Sequence, residues 1–86
     1  MVGKGDADRQ VEQVFENLGA VLTAAGGSFD NLVMTTTYLV DIKYREAYNK
    51  VRLRYYRHHQ PTSTLVVVKA LGQEDLVIEI DGIAVI

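Results

Sequence analysis

Two helical and three strand-like apolar patterns follow one another along the chain, and their order constrains the fold more than any other feature. The first pattern has the spacing of one stripe on an α-helix and comprises Val11, Val14, Phe15, Leu18, Val21 and Leu22. Asp6 or Asp8 can cap the start of this helix. Gly26-Gly27 can end it, because glycine tolerates the left-handed conformation that follows many helices. The sequence therefore predicts a first amphipathic helix between these residues.

The later patterns predict a strand, a second helix and two further strands. Residues 33–40 (VMTTTYLV) are β-branched and aromatic, as is typical of strands. Asp41 can cap a second helix, and Pro61 can stop it. The apolar stripe of that helix comprises Tyr44, Tyr48, Val51 and Tyr55. Residues 63–71 (STLVVVKAL) and 76–85 (LVIEIDGIAV) have strand composition and are expected to pair as a hairpin.

The order α-β-α-β-β predicts one α+β domain over residues 1–86, a small mixed sheet with two helices on one face. The crossover between the first two strands is long enough to make them parallel. Two helices cannot cover both faces, so the face assigned the threonines, Val67, Glu79 and Asp81 is expected to lack helix cover. A chain of 86 residues buries only about 60–65% of its surface. We therefore expect other copies of the chain to cover that face and a free sheet edge.

Composition excludes several classes of protein. Nine Lys and Arg against eleven Asp and Glu give a net charge of −2, which does not suit a chain built to coat nucleic acid or an anionic membrane. There is no cysteine, which excludes a disulfide scaffold and a thiolate metal site. The adjacent His58 and His59 lack a spaced third ligand, so no metal is expected. Without an apolar membrane span or a secretory signal, the expected location is the cytoplasm.

A set of ordered motifs covers almost all of the chain. It comprises Gly5-Asp6, Gln10, ENLGAVLTAAGGSFDNLVMTTTYLVD at residues 16–41, Tyr48-Asn49-Lys50-Val51, Tyr55-Tyr56, Pro61 and the two closing strands. The set resembles the Rid family, also called YjgF or endoribonuclease L-PSP. That resemblance implies a chorismate-mutase-like fold and a homotrimer with ligand clefts between subunits. It also implies hydrolysis of reactive enamines and imines, such as 2-aminoacrylate, to 2-keto acids and ammonia, with no metal or organic cofactor.

The resemblance also implies site residues. Glu79 matches a family glutamate that positions water, and a carboxylate there can accept the proton of water that attacks an imine carbon. Ser63, Thr64 and Leu65 stand where the family's strand contacts ligand, and Asn49 matches a family asparagine on the second helix. The alternative interpretations are a carboxylate at a polar subunit boundary for Glu79 and a helix-surface residue for Asn49.

The chain departs from the family pattern in two places. Family chains begin with a strand-rich segment that supplies sheet strands and a cleft tyrosine, whereas Met1 lies just upstream of the first helix. We therefore expect a sheet of three strands with a newly exposed edge, and the chain is either a truncated form or one in which other subunits compensate for the missing strands. Ser63 replaces the arginine that anchors the substrate carboxylate in the family. A charge-assisted bond is worth about 1.5–3 kcal/mol against about 1 for a neutral one, so affinity for an anion should fall roughly tenfold.

The charge of the second helical region supports a rival function. Six of the nine basic residues lie there, namely Lys43, Arg45, Lys50, Arg52, Arg54 and Arg57. Tyr55 and Tyr56 could stack on bases, so RNA binding or cleavage is an alternative, and the family's older name also implies it. A solvated helix face is the simpler interpretation. A non-catalytic oligomer that binds a small ligand is a third alternative.

Overall fold

The structure is a computed structural model that describes residues 6–86, so Met1 and Gly5 of the sequence argument lie outside the described residues. Its elements are α1 (Ala7–Ala24), β1 (Leu32–Leu39), α2 (Arg45–Tyr55), β2 (Thr62–Val67) and β3 (Ile78–Ala84). Short 3₁₀ turns at Phe29–Asn31 and Ile42–Tyr44 precede β1 and α2. The predicted α+β order is confirmed. Within residues 6–86, neither helix combines the length and the apolar character that a membrane crossing requires.

Both ends of α1 are set by the residues expected from the sequence. The Asp6 carboxylate accepts a hydrogen bond from the Arg9 N–H at 3.1 Å, which caps the first turn. Gly26 has φ 90°, a left-handed conformation that favours glycine. Its N–H donates to the Thr23 carbonyl at 3.0 Å, and the Gly27 N–H donates to the Leu22 carbonyl at 2.9 Å. These two bonds form a Schellman motif that satisfies the last carbonyls of the helix.

The start of α2 differs in detail from the prediction. Asp41 does act as a cap, since its carboxylate accepts from the Lys43 N–H at 2.9 Å, but the element that it caps is the 3₁₀ turn. The α-helix begins only at Arg45 and has no side-chain cap of its own. A tight turn therefore redirects the chain from the end of β1 before α2 crosses the sheet.

The three strands lie in the order β2-β1-β3. β1 pairs parallel with β2, as the helical crossover predicted, and antiparallel with β3. The predicted hairpin between the last two strands is therefore wrong. Residues 68–77 carry the chain past β1 to its other side, where Ile78 becomes buried and α1 packs on β3. A local hairpin between β2 and β3 would leave the apolar residues of β3 without the cover of α1. The stability gained by burying them therefore favours the observed pairing.

The register of the strands defines two faces of the sheet. One face lies beneath the helices and carries the rows Ser63–Thr35–Gly82, Leu65–Thr37–Ile80 and Val67–Leu39–Ile78. The other face, here called the open face, carries Thr62–Met34–Ile83, Thr64–Thr36–Asp81 and Val66–Tyr38–Glu79. The open face thus holds Glu79 and Asp81, as predicted. Val67, Thr35 and Thr37 were assigned to that face and belong instead to helix-facing rows. Both threonines are buried there, whereas the Val67 side chain is half exposed.

An aromatic cluster centred on Phe15 holds the helices together over the sheet. The Phe15 side chain is fully buried, and its ring stacks on Tyr55 at 5.0 Å between centroids. Tyr48 stacks on it at 6.1 Å and Tyr56 meets it edge-on at 5.5 Å. Offset-stacked and edge-to-face pairs of this kind each add about 0.5–1.5 kcal/mol to the stability gained by burial. The cluster is the main contact between α1 and the region that follows β1.

Two large apolar side chains remain exposed on the open face. Met34 and Ile83, which are register partners on adjacent strands, are 46% and 56% exposed. Both outer edges of the sheet, those of β2 and β3, have no further strand within the described part of the chain. Exposed large apolar side chains on a sheet face with unpaired edges are typical of a surface that associates with another chain.

We expect Thr37→Val to stabilise the fold by about 1 kcal/mol, because the buried Thr37 hydroxyl lacks a hydrogen-bond partner among the described residues and valine keeps its shape. Urea unfolding measures the change. Thr36→Val, on the open face, is the matched control and should change stability by less than about 0.5 kcal/mol. Destabilisation by Thr37→Val would show that the hydroxyl does have a partner.

Stability should also decline at high pH through Tyr56. Burial, with a smaller contribution from Tyr48, raises the pKa of the Tyr56 hydroxyl to about 12. The unfolded chain ionises near pH 10 while the folded chain stays protonated, so this contribution is intact below pH 10 and is lost as the pH rises to about 12. Unfolding free energies measured from pH 9 to 12 should fall less steeply for Tyr56→Phe. Equal slopes would contradict the assignment.

Candidate functional site

The three predicted ligand-contact residues of β2 do not share one face. Ser63 and Leu65 point to the helix side of the sheet, whereas Thr64 lies on the open face beside Thr36. The Ser63 hydroxyl lies 3.3 Å from the Tyr48 hydroxyl, and either can donate. Ser63 remains exposed and Tyr48 is buried, so this pair forms a neutral polar point where the core meets solvent at the β2 edge. Leu65 packs partly against the core.

Asn49 has an internal partner on α2. Its side-chain oxygen accepts a hydrogen bond from Arg52 Nε at 2.9 Å. Arg52 continues from there to the Gln60 side-chain oxygen, also at 2.9 Å, and its guanidinium lies over the Tyr48 ring at 5.8 Å. Asn49 therefore orients Arg52 through a hydrogen-bonded network that extends from α2 to Gln60.

Glu79 lies exposed on β3, on the open face next to Tyr38 of β1. Partial burial, a side-chain hydrogen bond to Asp81 and the negative charges of Asp81 and Glu79 raise the pKa of the Tyr38 hydroxyl. The phenol therefore stays protonated at neutral pH and can donate a hydrogen bond. Glu79 and Tyr38 together give the open face a proton acceptor and a proton donor on neighbouring strands.

Within one chain the predicted site residues remain apart. Glu79 lies on β3, and Ser63, Thr64 and Leu65 lie on β2, with the whole of β1 between the two strands. Two strand spacings separate the outer strands by about 10 Å, which exceeds the reach of one small ligand bound to both. Thr64 and Glu79 share the open face, while Ser63 and Leu65 face the helices. The chain therefore carries two halves of the predicted site at opposite edges of its sheet.

An apolar groove of about 350 Å³ borders Glu79. It runs between α1 and the free edge of β3 and is lined by Val14, Asn17, Leu18, Val21, Leu76, Ile78, Glu79 and Ile80. Val21 is largely exposed in it. The groove lies on the helix-facing side of β3, with Ile78 and Ile80, whereas the Glu79 side chain belongs to the open face. It can hold a small, mostly apolar molecule at the same strand edge as Glu79.

A larger cleft of about 500 Å³ lies where β1 and β2 end, away from the predicted residues. Four of its lining residues are carboxylates, Asp6, Asp41, Glu74 and Asp75, and two are lysines, Lys43 and Lys69. Across residues 6–86 there is no cluster of three or more His, Asp or Glu arranged to hold a metal ion. His58 lies near Asp30, and the His59 ring nitrogen lies 2.7 Å from the Leu32 carbonyl oxygen, so both histidines contact the region where β1 begins.

Three of the groups proposed for RNA binding, Arg54, Tyr55 and Tyr56, have partners within the chain. Arg54 forms an ion pair with Glu12 of α1. Tyr55 stacks on Phe15 and lies 3.4 Å from a Glu12 oxygen, and Tyr56 is 4% exposed. Tyr56 is too buried to stack on a base, and Phe15 occupies one face of the Tyr55 ring. The cationic side of α2 therefore acts in part as an attachment surface for α1.

Three residues that matter for this geometry were not singled out for it from the sequence. Tyr38 was one position in a β-branched strand, Tyr48 was one position in an apolar stripe, and Gln10 was one motif residue. Their roles depend on which strand lies beside which, information that periodicity does not contain. Only the alternation in residues 33–40 placed Tyr38 on the face opposite Thr37 and Leu39.

Comparison with known proteins agrees with this architecture. The family profile of Endoribonuclease L-PSP matches residues 1–86. A RutC family protein of Pyrococcus horikoshii is 38% identical over 81 residues, which cover 94% of this chain and 64% of that protein. The human 2-iminobutanoate/2-iminopropanoate deaminase is 32% identical over 81 residues, which cover 94% of this chain and 58% of that protein.

The solved structures that match also contain the same fold. RidA from an Antarctic Psychrobacter species superposes with a TM-score of 0.87 at 35% identity, covering 92% of this chain and 63% of that one. A member of the YjgF/YER057c/UK114 family from Mycobacterium tuberculosis superposes with a TM-score of 0.89 at 25% identity. The chain thus spans about two thirds of the length of these relatives. On the match over its whole length, the chain belongs to the endoribonuclease L-PSP family, which is also called the Rid or YjgF family.

Proposed function

We propose that the protein hydrolyses small reactive imines or enamines, with Glu79 as the group that directs water. The observation that carries the proposal is the position of Glu79, an exposed carboxylate on the open face beside Tyr38 of the adjacent strand. Family membership and the human relative, named for deamination of 2-iminobutanoate and 2-iminopropanoate, support the same reaction class. The proposal requires neither a metal nor an organic cofactor.

The proposed reaction needs one base and one donor. The Glu79 carboxylate orients a water molecule and accepts its proton while the water oxygen attacks the imine carbon. The C=N bond becomes a C–N single bond in a carbinolamine, and the nitrogen takes up a proton. In the collapse, Glu79 passes the hydroxyl proton to the nitrogen, the C–O bond becomes C=O, and the C–N bond breaks with its electron pair on nitrogen, which yields the keto acid and ammonia. The Tyr38 hydroxyl, on the adjacent strand, is placed to donate a hydrogen bond during these steps.

Other copies of the chain are proposed to complete the site. Within one chain β1 separates the Glu79 half from the Ser63 half, so a ligand that contacts both requires the β2 edge of another molecule. The exposed Met34 and Ile83 supply apolar area for such an association. We infer a homotrimer, the assembly that the family resemblance implies.

The anchoring end of the proposed cleft is neutral. Ser63 and Tyr48 offer two hydroxyl groups there, and Thr64 offers a third on the other face. Hydroxyl groups hold a carboxylate less strongly than a bidentate guanidinium does. We therefore propose a substrate that is neutral at this end, or an anionic one that binds weakly.

Glu79→Gln should lower the rate of 2-iminopropanoate hydrolysis roughly 100-fold or more, because the amide cannot accept the proton of the attacking water. The imine is generated in situ from an amino acid, and its decay is followed by ultraviolet absorbance. Glu74→Gln makes the same chemical change in the cleft where β1 and β2 end, away from the open face, and is the matched control. Equal decay with wild type and Glu79→Gln would contradict the deaminase proposal.

Two binding measurements, made beside the imine assay, distinguish the alternatives. A protein that binds 2-ketobutanoate in calorimetry without accelerating imine decay would instead be a non-catalytic binder. Salt-sensitive RNA binding that is lost in Arg54→Ala and Arg57→Ala would favour the RNA alternative, although the partners of Arg54 and Tyr55 argue against it.

Ser63→Arg should raise kcat/KM for 2-iminopropanoate by roughly tenfold, since the guanidinium adds a charge-assisted bond to the substrate carboxylate. The gain should appear mainly as a lower KM. Thr62→Arg is the matched control, because the preceding residue of β2 points to the opposite face. An equal gain in both variants would indicate a general effect of charge, and no gain in Ser63→Arg would remove this residue from the carboxylate-binding end.

A further inference from the structure

Gln10 of α1 bonds to the backbone of the segment that enters β3. Its side chain is 3% exposed. Its Nε2 donates to the Asp75 carbonyl at 2.8 Å, and its Oε1 accepts the Val77 N–H at 2.9 Å. One carboxamide therefore makes both bonds that a neighbouring strand would make at this point, across a sequence separation of 65 to 67 residues.

Val77 is also held from its other side. Its carbonyl accepts the Val40 N–H at 3.1 Å, just beyond the end of β1. The next residue, Ile78, is 1% exposed, and Glu79 follows it. Val77 is thus hydrogen-bonded both to α1 and to the residue that follows β1, two positions before the proposed catalytic Glu79.

The apolar pattern of β3 does not by itself specify its register. Ile78-Glu79-Ile80-Asp81 repeats an apolar and an acidic residue. A slip of two residues would put Ile80 in the place of Ile78 and Asp81 in the place of Glu79, and every side chain would keep its face. The connection at residues 68–77 is long, so no tight turn dictates the pairing.

Gly82 gives a second, softer restraint. A Cβ added at this glycine would lie 2.9 Å from Cδ2 of Leu32, which is buried. The slip described above would bring Ala84 to this place, so the close approach disfavours it. The restraint is soft because the contacted atom is the end of a side chain, which can shift. The bond to Gln10 is stricter, because the slip would move the Val77 N–H by about 7 Å.

We propose that the Gln10 carboxamide is a positioning residue that fixes the register of β3 on β1, and so sets Glu79 rather than Asp81 at the proposed catalytic position. The register claim stands on the contacts above. The catalytic consequence rests on the proposed function.

Amide hydrogen exchange followed by NMR tests directly whether the two Gln10 hydrogen bonds hold the segment that enters β3. Gln10→Leu removes both hydrogen bonds and fills the buried position with an apolar side chain of similar size. The Val77 amide should then exchange about tenfold faster. Gln13→Leu is the matched control, since Gln13 lies in the same helix but bonds to Asn17 of that helix at 2.8 Å. It should leave Val77 exchange unchanged. Exchange at the wild-type rate in Gln10→Leu would overturn the proposal.

Cross-strand contacts test the register itself. In the native register the Hα atoms of Leu39 and Ile78 face each other, a pair that gives a strong nuclear Overhauser effect. The double variant Gln10→Leu/Gly82→Ala removes both restraints and should show a second contact, between Leu39 and Ile80. Retention of the Leu39–Ile78 contact alone would overturn the proposal.

A milder variant covers the case in which Gln10→Leu fails to fold. Gln10→Glu keeps an acceptor for Val77 but places a carboxylate oxygen against the Asp75 carbonyl oxygen. A rise in the Val77 exchange rate that is smaller than the rise in Gln10→Leu would support the proposal, and exchange at the wild-type rate would again overturn it.

The catalytic consequence has its own readout. In the double variant Gln10→Leu/Gly82→Ala, adding Asp81→Asn should remove the residual turnover of 2-iminopropanoate. In the wild type the same change should lower turnover by a much smaller factor, because Asp81 acts there only through its hydrogen bond to Tyr38. Residual turnover insensitive to Asp81→Asn would refute the exchange of the two carboxylates. A wild type without any turnover would contradict the proposed function, while the exchange rates and Overhauser contacts would still decide the register.

Discussion

One-sided burial of the sheet is the constraint on which the rest of the structure depends. Phe15 joins α1 to Tyr48, Tyr55 and Tyr56, and this aromatic layer covers the row of Thr35, Thr37 and Leu39. Two helices supply enough apolar surface for one face of three strands and no more. The opposite face consequently keeps exposed Met34 and Ile83 among threonines and carboxylates. The candidate chemistry lies on the face that the chain does not bury.

The order of the strands has an equally direct consequence for function. Because β1 occupies the centre, the carboxylate of β3 and the hydroxyl groups of β2 are held at opposite edges. A rigid sheet cannot bring them together, but a second copy can place its β2 edge near Glu79. The proposed chemistry and the proposed assembly are therefore one hypothesis, and the register of β3, which Gln10 holds, determines what that edge presents.

Much of this fold follows from local patterns, and the errors arise where pairing is non-local. The caps at Asp6 and Gly26 and the apolar stripe at Tyr48 and Val51 could be predicted, because each depends on a few neighbouring residues. The hairpin could not be excluded, since residues 63–71 and 76–85 are compatible with pairing to each other and to β1. Burial of Ile78 beneath α1 decides that choice, and it involves residues more than 60 positions apart. The candidate site likewise contains residues that the sequence indicated and residues that it did not. Motif resemblance indicated Glu79 and Ser63, whereas the partners Tyr38 and Tyr48 required the three-dimensional register.

The central claim is that the site is completed where copies of the chain meet. Multi-angle light scattering during size-exclusion chromatography tests it most directly. The account predicts a particle of three times the 9.6 kDa chain, which dissociates when Met34 or Ile83 on the open face is replaced by lysine. A stable particle of one chain that nevertheless hydrolyses 2-iminopropanoate would contradict the account.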